Sequence, residues 1–219
     1  MNLHKETVTE ELLEVLKDLM SIELLSSFRL VGGTAIALQL GHRKSIDIDF
    51  FSNEKMSKQA IVASLLNKFP HSEYVTTSYS VNARIKEVKV DIFDDWSVPF
   101  RKPSLVVNGM RLAALEDLAA FKLTAFTERR EKKDYVDLFF LFKKFGGLTL
   151  LEQYKKYNPL ISSKSLLFAM REIDTAHSNK SAMPEMLVPF SWEEAKNFME
   201  SVTREYFKSL QKQQGFGLG

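Results

Sequence analysis

The sequence contains no cysteine, which excludes disulfide bonds and cysteine-ligated zinc sites. No apolar run approaches the roughly 18 residues that a membrane-spanning helix needs, and the polar start of the chain lacks the pattern of a signal peptide. The charge is nearly balanced, with 30 basic and 28 acidic residues, so charge alone does not argue for nucleic-acid binding. These absences predict a cytoplasmic protein with no membrane partner.

The sequence also lacks the arrangements that carry nucleophilic or histidine-based metal chemistry. We find no serine–histidine or cysteine nucleophile pattern, and the four histidines show no metal-ligand spacing. The chain is nevertheless 219 residues long and 45% hydrophobic, which is enough for one sizeable core or for a core with a smaller helical lobe. No nucleophile arrangement of this kind therefore competes with the carboxylates and the lysine described below.

The most informative stretch begins with a short apolar run that ends at Val31 and is followed by Gly32 and Gly33. Two adjacent glycines allow positive φ angles and a close approach to the backbone. Residues 35–40 favour a helix, and Gly41 stands where a helix often ends. The pattern predicts a strand, a tight glycine turn and a helix whose first N–H groups can bind phosphate.

Aspartates then alternate with apolar residues in the segment that contains Asp47 and Asp49. A period of two predicts a strand with both carboxylates on one face, about 6.5–7 Å apart. The pattern over residues 84–93 predicts a third carboxylate, Asp91, on the polar face of a second strand, with a bulge or a break near residues 86–87. Such oxygen ligands suit Mg²⁺. The alternative is an amphipathic strand with a hydrated face.

The remainder of the chain predicts a hairpin at Asn108-Gly109 and a helical second half that begins near residue 115. Lys122 falls where a core leucine is expected, so it either extends to the surface or serves a pocket. Asp134 and Asp137 share a helix face, although Asp134 could simply complement the helix dipole. Helices are also predicted over residues 7–26, 58–68, 149–157, 163–173 and 191–210, and a strand over 73–79.

Three strand carboxylates, a glycine turn and a helix lysine together indicate metal-dependent phosphoryl or nucleotidyl transfer. Metals held by carboxylates can stabilise both the attacking and the leaving oxygen of such a reaction. A glycine turn at a helix N-terminus offers N–H groups to phosphate, and a lysine can neutralise phosphate charge.

The motifs resemble those of the AbiEii/AbiGii-type nucleotidyltransferase toxins, within the DNA polymerase β-like nucleotidyltransferase superfamily. The resemblance rests on four segments in the family's order, across roughly residues 28–145: Gly32-Gly33-Thr34 with residues 41–51, residues 90–93, residues 117–122 and residues 133–138. The family often has serine where Thr34 stands, and threonine keeps the hydroxyl.

The resemblance implies a role for each matching residue. Asp47 and Asp49 would bind Mg²⁺ or Mn²⁺, and Asp91 would share a metal and help to deprotonate the acceptor hydroxyl. Gly33 and Thr34 would hold the triphosphate of the NTP substrate. The other implied site residues are Lys122 at the triphosphate, Arg43 at the nucleotide or alternatively in a surface ion pair, and Lys133, Asp134 and Asp137, which would complete the pocket or orient Lys122.

The expected architecture is an α/β (α+β) fold, with a small mixed β-sheet flanked by helices over residues 1–112 and a helical lobe over 113–219 that completes the active site. The resemblance implies transfer of a nucleoside monophosphate from an NTP to an acceptor, expected to be the 3′ end of tRNA. It further implies the toxin of a bacterial toxin–antitoxin or phage-defence system, with a cognate antitoxin protein as partner.

Alternative functions remain open at this point. The same carboxylates would serve a nucleotidyl- or phosphotransferase that acts on a protein or a small molecule, and a non-catalytic nucleotide-binding module could retain the scaffold. A basic cluster could meet an RNA backbone, but the pattern favours a solvated helix connection. That cluster consists of Arg129, Arg130, Lys132 and Lys133.

Overall fold

The computed structural model describes residues 2–94, 98–129 and 131–215. The chain divides into two compact units, Met1–Leu118 and Ala119–Gly219. The first unit is built on a β-sheet and the second consists of helices, so the predicted α/β class with a helical C-terminal part is confirmed. No helix in the described part of the chain is long and apolar enough to cross a membrane.

The sheet of the first unit is mixed, and its described strands follow the order β3-β4-β5-β2-β1-β7-β6. The two central strands β2 and β5 run parallel to each other, whereas β1 is antiparallel to β2. Alternate residues of β2 and β5, such as Ile48, Phe50, Val90 and Ile92, are buried. The strands are β1 (Arg29–Val31), β2 (Asp47–Phe51), β3 (Glu73–Thr76), β4 (Ser80–Ile85), β5 (Val88–Phe93), β6 (Leu105–Val107) and β7 (Met110–Leu112).

Helices α1 (Glu10–Met20), α2 (Gly32–Leu40) and α3 (Lys58–Lys68) complete the sheet unit. α1 packs on β2, β5 and β7 through apolar side chains that include Leu12 and Leu16. Thr9 and Ser57 cap α1 and α3, because their hydroxyl oxygens accept hydrogen bonds from the N–H groups of Leu12 and Ala60. The first helix is shorter than the predicted 7–26, with 3₁₀ turns over Lys5–Thr7 and Glu23–Leu25.

The predicted break near residues 86–87 is a complete hairpin turn. Lys86 has a φ angle of 52° and joins β4 to β5, which pair in antiparallel fashion from Ser80↔Phe93 to Ile85↔Val88. The predicted strand over 73–79 ends earlier, at Thr76. The hairpin at Asn108-Gly109 is confirmed, since both residues have positive φ angles, 50° and 78°.

Helix α4 (Leu115–Glu128) begins in the sheet unit and ends in the helical unit. Inside the helical unit, α5 packs on α6, α8 and α9, and the fully buried Tyr135 of α5 donates a hydrogen bond to the carbonyl of Ala169. The short helix α8 was not predicted. The remaining helices are α5 (Lys132–Phe145), α6 (Gly147–Tyr157), α7 (Ser163–Arg171), α8 (Ile173–Ser178) and α9 (Trp192–Gly215).

Candidate active site

The parallel pairing of β2 with β5 brings the predicted strand carboxylates onto one face of the sheet. Asp49 is directly opposite Asp91, and Asp47 is directly opposite Lys89. The edge-to-face contact between Phe51 and Phe93, with ring centroids 5.1 Å apart, lies on the same face one step further along. Asp47 and Asp49 are half-buried, whereas Asp91 is buried. The structure therefore places the three aspartates on adjacent positions of two central strands.

Both carboxylate oxygens of Asp91 accept hydrogen bonds. The side-chain amide of Asn82, on β4, donates to Oδ1 at 2.6 Å, and the ammonium of Lys89 donates to Oδ2 at 2.6 Å. Ser80 in turn donates to the amide oxygen of Asn82 at 2.9 Å, which fixes the orientation of that amide. The Asp91 carboxylate is therefore held in a defined orientation, and one of its two oxygens is already bound by the ammonium of Lys89.

The glycine turn lies directly against Asp49. Gly32 has a φ angle of 68°, and a Cβ atom at this position would lie 2.0 Å from Asp49 Oδ2. Only glycine has both the conformational freedom and the missing side chain that this approach requires. The N-terminus of α2 therefore begins beside the carboxylate face, and the N–H groups of its first turn have no partner within the helix.

Gly33 and Thr34 form the first turn of α2, and their side-chain environments differ. A Cβ at the half-exposed Gly33 would lie 2.4 Å from Arg43 Nη2, so the Arg43 guanidinium packs against the turn. Thr34 is buried, and its hydroxyl lies 2.8 Å from Ser45 Oγ and also within hydrogen-bonding distance of the Asp47 carbonyl oxygen. The Thr34 hydroxyl therefore links α2 to the start of the carboxylate strand.

Arg43 is buried, whereas one of its two predicted roles was an ion pair at the surface. The residue is only 3% exposed, and its Nη1 donates to the Lys44 carbonyl at 2.8 Å. Its position under Gly33 instead puts a permanent positive charge beside the glycine turn.

The helical unit contains a second cluster of predicted site residues, which is fully buried. Lys122 Nζ on α4 lies 3.0 Å from Asp134 Oδ1 and 2.8 Å from Asp137 Oδ2, both on α5. Arg129 Nε also donates to Asp134 Oδ2 at 3.1 Å. Lys122 is 5% exposed and the two aspartates are 0% exposed, so Lys122 does not extend to the surface. The pairing explains why a lysine occupies a core position of its helix.

The predicted basic cluster is described only in part, because Arg130 lies outside the described residues. Lys133 is half-buried and pairs with Glu131 at 3.1 Å, and Arg129 pairs with Asp134. Two of the cluster's cations are therefore already paired within the helical unit.

The carboxylate face has the oxygen ligands that Mg²⁺ and Mn²⁺ prefer, so the residues present fit a divalent ion. Among the described residues, however, no three acidic or histidine side chains converge closely enough to form a ready-made metal site. Asp91 is engaged with Asn82 and Lys89. Metal binding would therefore require side-chain rearrangement on this face.

Sequence reasoning missed the parts of the site that depend on pairing between distant segments. Lys89 and Asn82 contact Asp91, yet neither was singled out as a site residue; Gly32 was part of the predicted turn, but its closeness to Asp49 was not predicted. Lys89 had one available signal, because it stands two residues before Asp91 on the same strand face. Asn82 gave no such signal, since its place beside Asp91 depends on the β4–β5 register.

The sequence also matches a known protein family. Residues 14–160 match the model of the family described as nucleotidyl transferase AbiEii toxin, type IV toxin–antitoxin system. This match spans about two thirds of the chain and includes every predicted site residue. The chain is also 28% identical over 205 residues to a protein of Aquifex aeolicus, aq_aa25, with 90% of this chain and 96% of that protein covered.

Solved structures share the fold at lower sequence identity. JHP933 from Helicobacter pylori superposes with a TM-score of 0.57 and 20% identity, covering 95% of this chain and 97% of that one. The structure of ANT(2″)-Ia in complex with adenylyl-2″-tobramycin gives a TM-score of 0.54 and 15% identity, covering 70% of this chain and all of that one. At these identities the likeness concerns the fold alone.

Proposed function

The chain belongs to the AbiEii family of nucleotidyl transferase toxins, and from that premise we propose that it transfers a nucleoside monophosphate from an NTP to RNA. The acceptor we propose is the 3′ end of tRNA, and pyrophosphate is the second product. One observation carries the proposal: three aspartates occupy adjacent positions of β2 and β5, beside the glycine-led N-terminus of α2. This set of groups serves charge stabilisation at a phosphate centre.

In this proposal Asp47, Asp49 and Asp91 hold the divalent cations, Mg²⁺ or Mn²⁺. When bound, such ions polarise the phosphate oxygens and neutralise the charge that develops during transfer. Asp91 has a second task, to accept the proton of the acceptor hydroxyl. Asn82 orients the Asp91 carboxylate through its hydrogen bond to Oδ1, so the position of the base does not depend on a flexible side chain.

The glycine turn is proposed to bind the triphosphate through the backbone. The N–H groups of Gly33 and Thr34 lie in the first turn of α2, where the helix dipole favours anions. Arg43 beneath Gly33 adds a fixed positive charge that stabilises the bound nucleotide. The Thr34 hydroxyl keeps this turn and the Asp47 strand in register through its contact with the Asp47 carbonyl.

For the helical unit we propose the roles that the family resemblance implies. Lys122 contacts the triphosphate, and Asp134 and Asp137 hold its ammonium charged and in place. Lys133 is proposed to complete the nucleotide pocket.

The cellular part of the proposal follows from the family's description as a type IV toxin–antitoxin system. We propose that the protein acts in the cytoplasm as the toxin of such a pair, in phage defence, and that a cognate antitoxin counteracts it. The competing possibilities are transfer to a protein or a small molecule, and a binding module without catalysis. They are separated by the identity of the labelled product.

The test is incorporation of label from each of the four NTPs, labelled at the α-phosphate, into total tRNA in the presence of Mg²⁺. We expect one or more nucleotides to label the RNA with the wild-type protein. Asp47→Asn is expected to reduce the rate at least about a hundredfold, the scale of removing one group that stabilises transition-state charge. Asp18→Asn, at an exposed aspartate paired with Lys68 on the same unit, is the matched control and is expected to retain full activity.

Each of the other outcomes would favour one of the competing functions. Label in protein or in a small molecule would replace RNA as the acceptor while keeping the site. Equal activity of Asp47→Asn and wild type would contradict the assigned site, and the absence of any labelled product would favour the binding module.

A further inference from the structure

Lys89 lies within the acidic face rather than at its edge. On β5 it precedes Asp91 by two residues and shares that residue's face, and on β2 its direct neighbour is Asp47. Its ammonium donates to Asp91 Oδ2 at 2.6 Å. The Lys89 ammonium therefore stands among the three carboxylates that we assign to divalent-ion binding.

The electrostatics of Lys89 reflect all three aspartates. Lysine is cationic at neutral pH, the Lys89 ammonium lies 2.6 Å from Asp91 Oδ2, and the strand register places Asp47 and Asp49 on the same face. The ammonium is therefore firmly charged, and it neutralises part of the repulsion that three neighbouring carboxylates would otherwise create.

Lys89 is also able to leave this position. Its side chain is 56% exposed, so its ammonium can move into water at little cost. Asp91 would remain oriented when Lys89 leaves, because Asn82 independently holds the other carboxylate oxygen at 2.6 Å. The two partners of Asp91 therefore differ in kind, since one is a fixed neutral donor and the other is a movable cation.

We propose that Lys89 is an internal counter-ion that occupies the carboxylate face before a divalent cation binds and is displaced when the cation arrives. The inference rests on the proposed function in one respect, the assignment of divalent-ion binding to the three aspartates. Lys89 lowers the affinity of the face for divalent ions because two like charges cannot occupy it together. It also stabilises the protein in the absence of metal.

The experiment is a titration with Mn²⁺, with free Mn²⁺ measured by electron paramagnetic resonance. We expect Lys89→Met to bind Mn²⁺ about tenfold more tightly than wild type, on the scale of removing one partly screened charge. The matched control is Lys86→Met, which removes an equally exposed lysine of the same hairpin whose ammonium pairs with Glu14 at 2.9 Å. This control is expected to leave Mn²⁺ affinity unchanged.

Thermal unfolding supplies a readout that does not depend on catalysis. Without metal, Lys89→Met is expected to unfold at a lower temperature than wild type, and saturating Mn²⁺ should raise its midpoint by more than it raises that of wild type. Lys89→Gln, which keeps a hydrogen-bond donor but no charge, is expected to behave like Lys89→Met. It also serves as the test variant if Lys89→Met does not fold.

Equal or weaker Mn²⁺ binding by both Lys89 variants would overturn the inference, and so would a failure of both variants and wild type to bind Mn²⁺. The outcome is separable from that of the labelling assay. RNA labelling by wild type with unchanged Mn²⁺ affinity in the variants would retain the proposed function and reject the counter-ion. Tighter Mn²⁺ binding by the Lys89 variants, without nucleotide transfer by wild type, would support the counter-ion and reject the proposed function.

Discussion

The acidic face of the sheet and the buried cluster of the helical unit combine the same side chains in opposite environments. On the sheet, Lys89 pairs with Asp91 while its own side chain is 56% exposed. In the helical unit, Lys122 pairs with Asp134 and Asp137, and none of the three is more than 5% exposed. Each region places a lysine among aspartates, but only the first is open to water.

This difference in exposure indicates which of the ion pairs can exchange partners. A half-exposed lysine can exchange a carboxylate for water, so its pairing contributes little to stability and is free to respond to a ligand. A buried pair cannot do so, because loss of either charge leaves the other in a medium that solvates it poorly. The sheet face is therefore suited to an exchange of partners, and the helical cluster to holding the Lys122 ammonium in place.

The largest expected effect on stability comes from disrupting the buried ion pairs of the helical unit. Lys122→Met removes the ammonium that pairs with the buried Asp134 and Asp137, while Arg129 stays paired with Asp134, and we expect a loss of about 3–5 kcal/mol in the free energy of unfolding. Urea unfolding followed by helical circular dichroism measures this loss. Lys89→Met, at the exposed pair, is expected to cost less than about 1 kcal/mol in the same measurement.

A double variant controls for the lost contacts of the lysine stem. Adding Asp137→Asn to Lys122→Met removes one of the stranded charges and should recover part of the lost stability. A single variant Lys122→Met within about 1 kcal/mol of wild type would show that the two carboxylates are not a stranded charge pair, contrary to the comparison.

A smaller effect is expected where the glycine turn meets the sheet face. Gly32→Ala must adopt a φ angle of 68°, and its Cβ would lie 2.0 Å from Asp49 Oδ2, so the Asp49 side chain has to move. We expect a loss of about 2 kcal/mol in stability, together with the loss of nucleotide transfer. Denaturant unfolding and the RNA-labelling assay measure the two effects separately.

Gly109→Ala is the matched control for backbone strain. Gly109 has a φ angle of 78°, and a Cβ there would have no atom within 4 Å. It should therefore cost only the left-handed conformation, about 1 kcal/mol, and leave transfer intact. If Gly32→Ala kept full activity, the close approach between the turn and Asp49 would have no part in the function.

Local rules predicted the parts of the fold that are encoded within a few residues. The positive φ angles of Asn108 and Gly109 and the Ser57 cap follow from the residue types alone. The first half of β4 was missed because its Ser80 and Asn82 are polar and stabilise a strand only through pairing with β5. α8 is a six-residue helix, too short for its periodicity to be read from the sequence.

For the candidate site, the sequence predicted which strand face carries the aspartates but not what surrounds them. The period of two places Asp47 and Asp49 on one face, whereas the position of Lys89 opposite Asp47 depends on the register of two parallel strands that are distant in sequence. The burial of individual side chains could not be predicted from the sequence either. Arg43 looks like a surface cation by type, yet it is 3% exposed because the chain folds it beneath Gly33.

An effect smaller than that of Gly32→Ala is expected at Asp94, a carboxylate of the sheet unit that is buried like the helical cluster yet paired with a cation that is partly exposed. Its side chain is 3% exposed, its Oδ1 lies 3.0 Å from Lys58 Nζ, and its Oδ2 accepts the Met56 N–H at 3.1 Å. Burial alone would raise the pKa of Asp94, but the hydrogen bonds from Met56 and Lys58 outweigh it and hold the pKa below its ordinary value of 3.8.

A carboxyl group whose pKa is lowered by folding stabilises the protein above its ordinary pKa, and this stabilisation is lost as the pH falls through the folded-state pKa. We therefore expect Asp94→Asn to reduce the unfolding free energy by about 1 kcal/mol at pH 7, with the difference shrinking at pH values below 3.8. Urea midpoints measured across this range test it, with Asp18→Asn, at a half-exposed pair, as the control near zero. If the difference in unfolding free energy stayed constant with pH, the charge of Asp94 would contribute nothing to stability. Burial of only one partner would then not be enough to make an ion pair as important for stability as the buried pairs of the helical cluster.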